Sequence, residues 1–309
     1  MKNFWKATLI PGLCCILAGL VLAVILVLGY SDELMEHAEE FSINADNYFD
    51  FIEGDKFVSA TREGKHYGKS DTKESYYFAV PEGEVITALD FSFAVGEVEL
   101  RTGENMEVSV TDMFEGAITS KVAGGVWYIE DSLIDSGSVH SDYSPAIIIT
   151  IPEGAKFQMV KLYLAAGLLE AEELSAPEMS LEVDAGSMKV FRLTAKNSLE
   201  LKNGVGEIKV YDAETANMNV DNGIGFVSII GAVSGRNFIE CGIGEVNLTL
   251  VDRKDADFNY KVSCGIGEVQ IGDKVFHGAS EHIGDDSASA DYFDLDCGIG
   301  QIAINFNGN

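Results

Sequence analysis

The sequence predicts an all-β chain: a β-solenoid of roughly 19-residue, two-strand coils, an N-terminal β region before it, and one transmembrane helix ahead of both. Three observations predict this. A short phrase recurs as Cys241-Gly242-Ile243-Gly244-Glu245-Val246, Cys264-Gly265-Ile266-Gly267-Glu268-Val269 and Cys297-Gly298-Ile299-Gly300-Gln301-Ile302. With asparagine in front it reads Asn203-Gly204-Val205-Gly206-Glu207-Ile208 and Asn222-Gly223-Ile224-Gly225-Phe226-Val227. Regular recurrence of this kind marks stacked repeats, each too small to bury its own apolar face. The second observation is a charge-free apolar run at the N-terminal end, and the third is two-residue alternation of apolar and polar side chains from residue 76 onward.

The run comes first in chain order. Residues 7–30 hold 24 residues without a charge, and about 20 apolar residues suffice to cross a bilayer as a helix. A cleaved signal peptide fits less well, because the run is long and no small-x-small site closes it at Val27-Leu28-Gly29-Tyr30. Lys2 and Lys6 precede the run, while Asp32, Glu33 and Glu36 follow it. The basic side stays in the cytoplasm, so residues 1–30 are expected as a cytoplasmic tip and single-pass anchor in the lipid bilayer, with everything later extracytoplasmic. Cys14 and Cys15 read as apolar filler within the helix.

Residues 31–75 are expected as a juxtamembrane connector. Leu34, Ala38 and Phe41 share one helical side, and Phe57 to Tyr67 suggests a hairpin. Residues 76–160 form the N-terminal β region. Pro81-Glu82-Gly83 and Pro152-Glu153-Gly154 open two similar units, with proline setting a corner and glycine accepting the awkward dihedral. Between them residues 104–150 alternate in hairpin fashion, predicting extra antiparallel strands or an end cap.

Residues 161–309 carry the repeats. Registered on the first small residue of each phrase, the positions are Ala94, Ala165, Gly186, Gly204, Gly223, Gly242, Gly265 and Gly298, and spacings from Ala165 onward are 21, 18, 19, 19, 23 and 33 residues. Ile239, Cys241 and Ile243 share one parity, Val246 and Leu248 the other. Since side chains alternate across a strand, the chain must bend at Gly244-Glu245, where glycine removes the obstruction. The corner glycines are thus Gly204, Gly206, Gly223, Gly225, Gly242, Gly244, Gly265, Gly267, Gly298 and Gly300. Glu207, Lys209, Glu240, Glu245, Asn247 and Gln270 are read as outward.

The chemistry is bounded by charge. With Lys2 and Lys6 set aside, 19 basic residues face 50 acidic ones, a formal charge of −31, which repels nucleic acid and anionic lipid. Asn203, Asn222, Cys241, Cys264 and Cys297 precede the first glycine and should form a buried ladder, with asparagines hydrogen-bonded up the stack and thiols reduced. A disulfide or soft-metal site fits less well: stacked side chains spoil the torsion, and three in-line thiolates make no tetrahedron. The glycine phrase lacks the third glycine and following helix of a dinucleotide fingerprint, and lacks the Gly-Lys-Ser/Thr of a phosphate loop. His37, His66, His140, His277 and His282 are scattered, so no catalytic set, metal or cofactor is expected and an enzyme is disfavoured.

The recurring small-x-Gly-Glu/Lys-apolar phrase, the Pro-Glu-Gly turn and the N-terminal anchor resemble the putative-adhesin domain of unknown function found in envelope proteins of Gram-positive bacteria, especially clostridia. The resemblance covers residues 85–305. It implies a β-strand-repeat fold in a membrane-associated or surface setting, with no catalytic residues and no known ligand. The chain departs from the pattern at Met188, where a second glycine is missing, and at Arg192, in an apolar position; a distorted coil is expected there.

The functional expectation is a membrane-anchored extracytoplasmic binding or structural module, adhesion-related, contacting cell wall, a host surface or an envelope protein. The alternative is a regulatory accessory acting through a membrane partner, with Gly12, Gly19 and Ala23 as the candidate helix contact, Gly12 and Gly19 lying on one side. Regular faces are expected to lack deep concavities, so ligand contacts are sought on irregular features: Trp127 and Tyr128 with Tyr143, and Phe276, His277, His282, Asp285 and Asp286 in the last insertion.

Overall fold

A computed structural model of the chain describes residues 73–132, 144–277, 282–283 and 291–308. The expected anchor and its glycines, the connector up to residue 72, Tyr143, Asp285 and Asp286 lie outside the described residues. Among the described residues no helix is long and apolar enough to cross a membrane.

Fifteen strands form one sheet. Eight of them are long and run parallel: β2 (Ala88–Gly103), β7 (Met159–Ser175), β8 (Glu178–Ala195), β9 (Ser198–Ala216), β10 (Met218–Ser234), β11 (Arg236–Val251), β12 (Phe258–Ile271) and β15 (Asp291–Asn307). Parallel neighbours usually need a crossover of a dozen or more residues. Here Asn217 alone separates β9 from β10, and Met218 pairs with Leu199 at the start of the preceding strand. A straight strand of this length could not return so quickly, so each strand must turn along its own course.

Burial shows where. In β9 the buried residues are Leu199, Leu201 and Asn203, then Ile208 and Val210, then Ala213 and Thr215, before Met218 opens the next repeat. Steps of two keep one face inward, and each odd step requires a turn. Three odd steps occur per repeat, so the two runs expected from the sequence become three. Stacked in register, inward residues form continuous columns such as Phe91, Leu162, Leu181, Leu201, Val220 and Ile239, all buried.

The second glycine of each phrase aligns from Gly96 through Gly167, Gly186, Gly206, Gly225 and Gly244. Gly186 is therefore a second glycine, not the first as registered from sequence, and Asp184 stands opposite Gly204. The expected distortion is corrected with it. Met188 pairs with Ile208 in the core, and Arg192 is an exposed residue opposite Glu173, bonded to its carboxylate at 2.9 Å.

The stack does not follow chain order at its end. The last strand, β15, lies between β11 and β12, pairing with both. Beyond β12 lie β13 (Lys274–His277) and β14 (His282–Ile283), both antiparallel to it. At the other end β2 is covered by β5 (Val126–Asp131) along Ala88–Ser92 and by β6 (Ala146–Pro152) along Glu97–Gly103. β4 (Ile118–Ala123) pairs with β5, β3 (Glu107–Phe114) with β6, and β1 (Lys73–Ala79) with β3, all antiparallel. At this end the buried Asp131 carboxylate accepts the Ala94 N–H at 3.1 Å, satisfying a backbone donor that the ladder leaves over.

Candidate interaction surface

The glycine corner positions both sides of the candidate surface. At Gly206, Gly225, Gly244 and Gly300 φ lies between +137° and +142°, a region L-residues avoid. A Cβ at Gly225 would stand 1.9 Å from the Gly206 carbonyl oxygen. The first glycine is crowded too, with a Cβ at Gly223 falling 2.6 Å from the Gly204 oxygen. Two bare backbone positions thus flank one side chain.

That side chain points outward. Val205, Ile224, Ile243, Ile299 and Ile266 are 45%, 50%, 49%, 37% and 64% exposed and stand opposite one another across β9, β10, β11, β15 and β12. Two-residue alternation puts Ile243 on the same face as the buried Cys241. The structure corrects this: the chain has already turned at the first glycine. The result is a ridge of β-branched aliphatic side chains in water.

Inside the corner lies the ladder. Asn203 Nδ2 donates to Asn222 Oδ1 at 2.7 Å and to the Gly206 carbonyl at 3.1 Å. Asn222 Nδ2 donates to the Gly225 carbonyl at 3.2 Å and reaches Cys241 Sγ at 3.6 Å. Asn203 Oδ1 is buried without a hydrogen-bond partner. Cys241, Cys264 and Cys297 are free and buried, in the spatial order Cys241, Cys297, Cys264. Burial pushes the Cys297 thiol up to about 12, reinforced by the Cys241 and Cys264 sulfurs beside it. Burial also raises Cys241, against the opposing Asn222 bond. Among the described residues no group of His, Cys, Asp and Glu is arranged to hold a metal.

The other candidates are dispersed. Trp127 is buried in the cap, edge-on to Phe91 at 5.3 Å, its indole N–H donating to Ser120 Oγ at 2.9 Å; this removes it from any binding surface. Tyr128, its neighbour in β5, is exposed. Phe276 and His277 sit on β13, paired with Val269 and Glu268 along the edge of β12. His277 Nδ1 lies 3.6 Å from a Glu268 carboxylate oxygen. His282 is at the backbone level a β14 residue opposite Val262.

Two surface features escaped the sequence reading. Phe191 and Tyr211 stack at 5.4 Å on the outer face. An open groove of about 860 Å³ lies where β6 meets β2, β7 and β8, with Leu168 and Phe191 beside Glu97, Glu99, Glu170, Glu172 and Arg192. Phe191 and Tyr211 come from the consecutive strands β8 and β9, whereas the groove needs the pairing of β2 with β6 and β7.

No known family profile matches the chain, and no curated protein does. It is similar to several solved structures. One is a "putative cell adhesion protein" from Clostridium sporogenes, at 19% identity and TM-score 0.38, covering 76% of this chain and 100% of that one. Another is a "putative adhesin" from Bacteroides fragilis, at 13% and 0.38, covering 76% and 98%. A third is a "putative lipid binding protein" from Parabacteroides distasonis, at 12% and 0.30, covering 78% and 96%. Nothing about binding passes from these proteins to this one.

Proposed function

We propose that the chain is a membrane-anchored extracytoplasmic binding module. Residues 7–30 hold it in the cell membrane, and residues 161–305 wind as a β-solenoid whose glycine corners display the aliphatic ridge. The observation that carries the reading is that ridge. Five successive strands of the stack place Val or Ile at an exposed position, where a soluble repeat protein gains solubility from polar residues.

Magnitudes set what the ridge can do. Burying an exposed Ile or Val fully is worth about 1.5–3 kcal/mol; roughly half of each is already covered, leaving about 1 kcal/mol per position. Five positions give about 5 kcal/mol gross, comparable with the lower estimates of the cost of association. The ridge alone therefore supports weak binding, and a stable complex needs added polar contacts or several modules acting together.

The test uses the full chain expressed in a Gram-positive host. External protease should remove the β region from intact cells, and the purified chain should sediment with isolated cell-wall sacculi or with envelope membranes. Ile224→Thr with Ile243→Thr should reduce that retention while leaving the melting temperature unchanged. Protection of the β region in intact cells, or equal retention of the double variant, refutes the reading.

A further inference from the structure

The ridge does not stand in neutral surroundings. On one flank Asp221, Glu240 and Asp296 are exposed and directly opposite one another on β10, β11 and β15. Like charges facing each other across a ladder are destabilising, and these three recur at the strand spacing of about 4.8 Å. On the other flank Glu207, Glu245 and Glu268 alternate with Phe226 and Gln301. Lys209 bonds Glu207 at 2.5 Å and Lys202 bonds Glu200 at 2.9 Å, so the nearby lysines are engaged within the stack. The arrangement is an aliphatic strip with three carboxylates on each side, Asp221, Glu240 and Asp296 standing in register between Lys202 on β9 and Ser263 on β12.

We propose that this strip docks a cationic amphipathic polypeptide segment of another envelope protein, with an apolar stripe flanked by Lys or Arg on both sides. The proposal rests on the binding-module reading and names the chemistry of its partner. Charge complementarity selects the occupant. A second copy would set acidic columns against acidic columns, and an anionic bilayer surface would be repelled by both. A cationic partner relieves the repulsion among Asp221, Glu240 and Asp296 while covering the side chains between them. The span from Val205 to Ile266 is four strand spacings, about 19 Å, which matches about 13 residues of helix at 1.5 Å each.

The probe is a 14-residue peptide of Leu and Lys at helical period, with a Glu-for-Lys peptide as its counterpart. The full chain is held in zwitterionic nanodiscs, with empty nanodiscs subtracted, and peptide fluorescence anisotropy is followed. The Lys peptide should bind saturably, weaken as salt rises, and lose about tenfold in affinity with Ile224→Thr/Ile243→Thr. A comparable loss should follow Asp221→Asn/Glu240→Gln/Asp296→Asn, and the Glu peptide should not bind. Equal affinity for parent and both variants overturns the proposal, as does concentration-dependent dimerisation abolished by Ile224→Thr/Ile243→Thr. Ridge-dependent retention on sacculi without peptide binding also overturns the partner chemistry, but leaves the binding-module reading standing.

Discussion

Replacing Gly225 by alanine tests the corner. Its φ of +139° is a glycine conformation, and the new Cβ would lie 1.9 Å from the Gly206 carbonyl oxygen. The dihedral strain costs about 1–3 kcal/mol. Relieving the clash means moving two backbones apart by more than 1 Å, roughly, which sacrifices at least two ladder hydrogen bonds at about 1 kcal/mol each net. The sum is about 3–5 kcal/mol. Gly83→Ala is the control: its φ is +90°, yet nothing lies within 4 Å of the added Cβ, so only strain of about 1–2 kcal/mol is expected. Urea unfolding of the full chain in detergent, followed by far-UV circular dichroism, compares the midpoints of the two variants with the parent at a common slope. If Gly225→Ala costs no more than Gly83→Ala, the close stacking of second glycines does not hold the repeats together.

Asn222→Val should cost about 2 kcal/mol, since it strips Asn203 of its acceptor and the Gly225 carbonyl of its donor; adding Asn203→Val should recover only part of this, because it removes the buried Asn203 amide but leaves the Gly206 and Gly225 carbonyls without their side-chain donors, and a double-mutant cycle by urea unfolding reads the coupling. The three buried thiols should resist Ellman's reagent in the native chain at pH 8 and react fully in denaturant. For Cys297 the folded pKa, about 12, lies above the unfolded value, near 9; its contribution is intact below pH 9 and lost as pH rises towards 12, so Cys297→Ser should flatten the alkaline decline in melting temperature. Arg253 bonds the Val233 carbonyl at 2.9 Å and Asp291 at 2.5 Å, and lies over Phe258 at 4.3 Å. Arg253→Met should therefore cost about 2 kcal/mol by loosening the start of β15, and Arg253→Lys should recover less than half, since an ammonium cannot serve all three contacts.

How far the sequence carried the fold is best seen at particular residues. The spacing of Gly206, Gly225 and Gly244 contains their register, because the repeated phrase needs no external alignment. Matching glycine to glycine puts Gly186 in the first place and slips the frame by two residues, because Asp184 holds that place. Alternation puts Ile243 inside, whereas it is 49% exposed, because two-residue alternation holds only along a straight strand and the first glycine ends that strand. The position of β15 was not legible at all. The Cys264 and Cys297 phrases are equally good neighbours for the Cys241 phrase, and nothing local distinguishes them. At the candidate surface the glycines and ladder residues were visible, whereas Trp127 could be assigned a side only once β4 and β5 were paired.

The ridge and the corner have one physical origin. Close stacking of the second glycines requires bare backbone, and bare backbone on both sides leaves the intervening side chain partly exposed. Its register partners above and below are its equivalents, so an aliphatic choice there makes a continuous column instead of isolated contacts. The ladder spacing then fixes the pitch of that column, and of the acidic columns beside it, independently of loops or side-chain rotamers. A partner fitted to this pitch gains from every added repeat without any change in the geometry of the contact. The position of β15 extends this logic: inserted between β11 and β12, it adds Ile299 to the ridge and Asp296 to the acidic column, so the strand that departs from chain order preserves both.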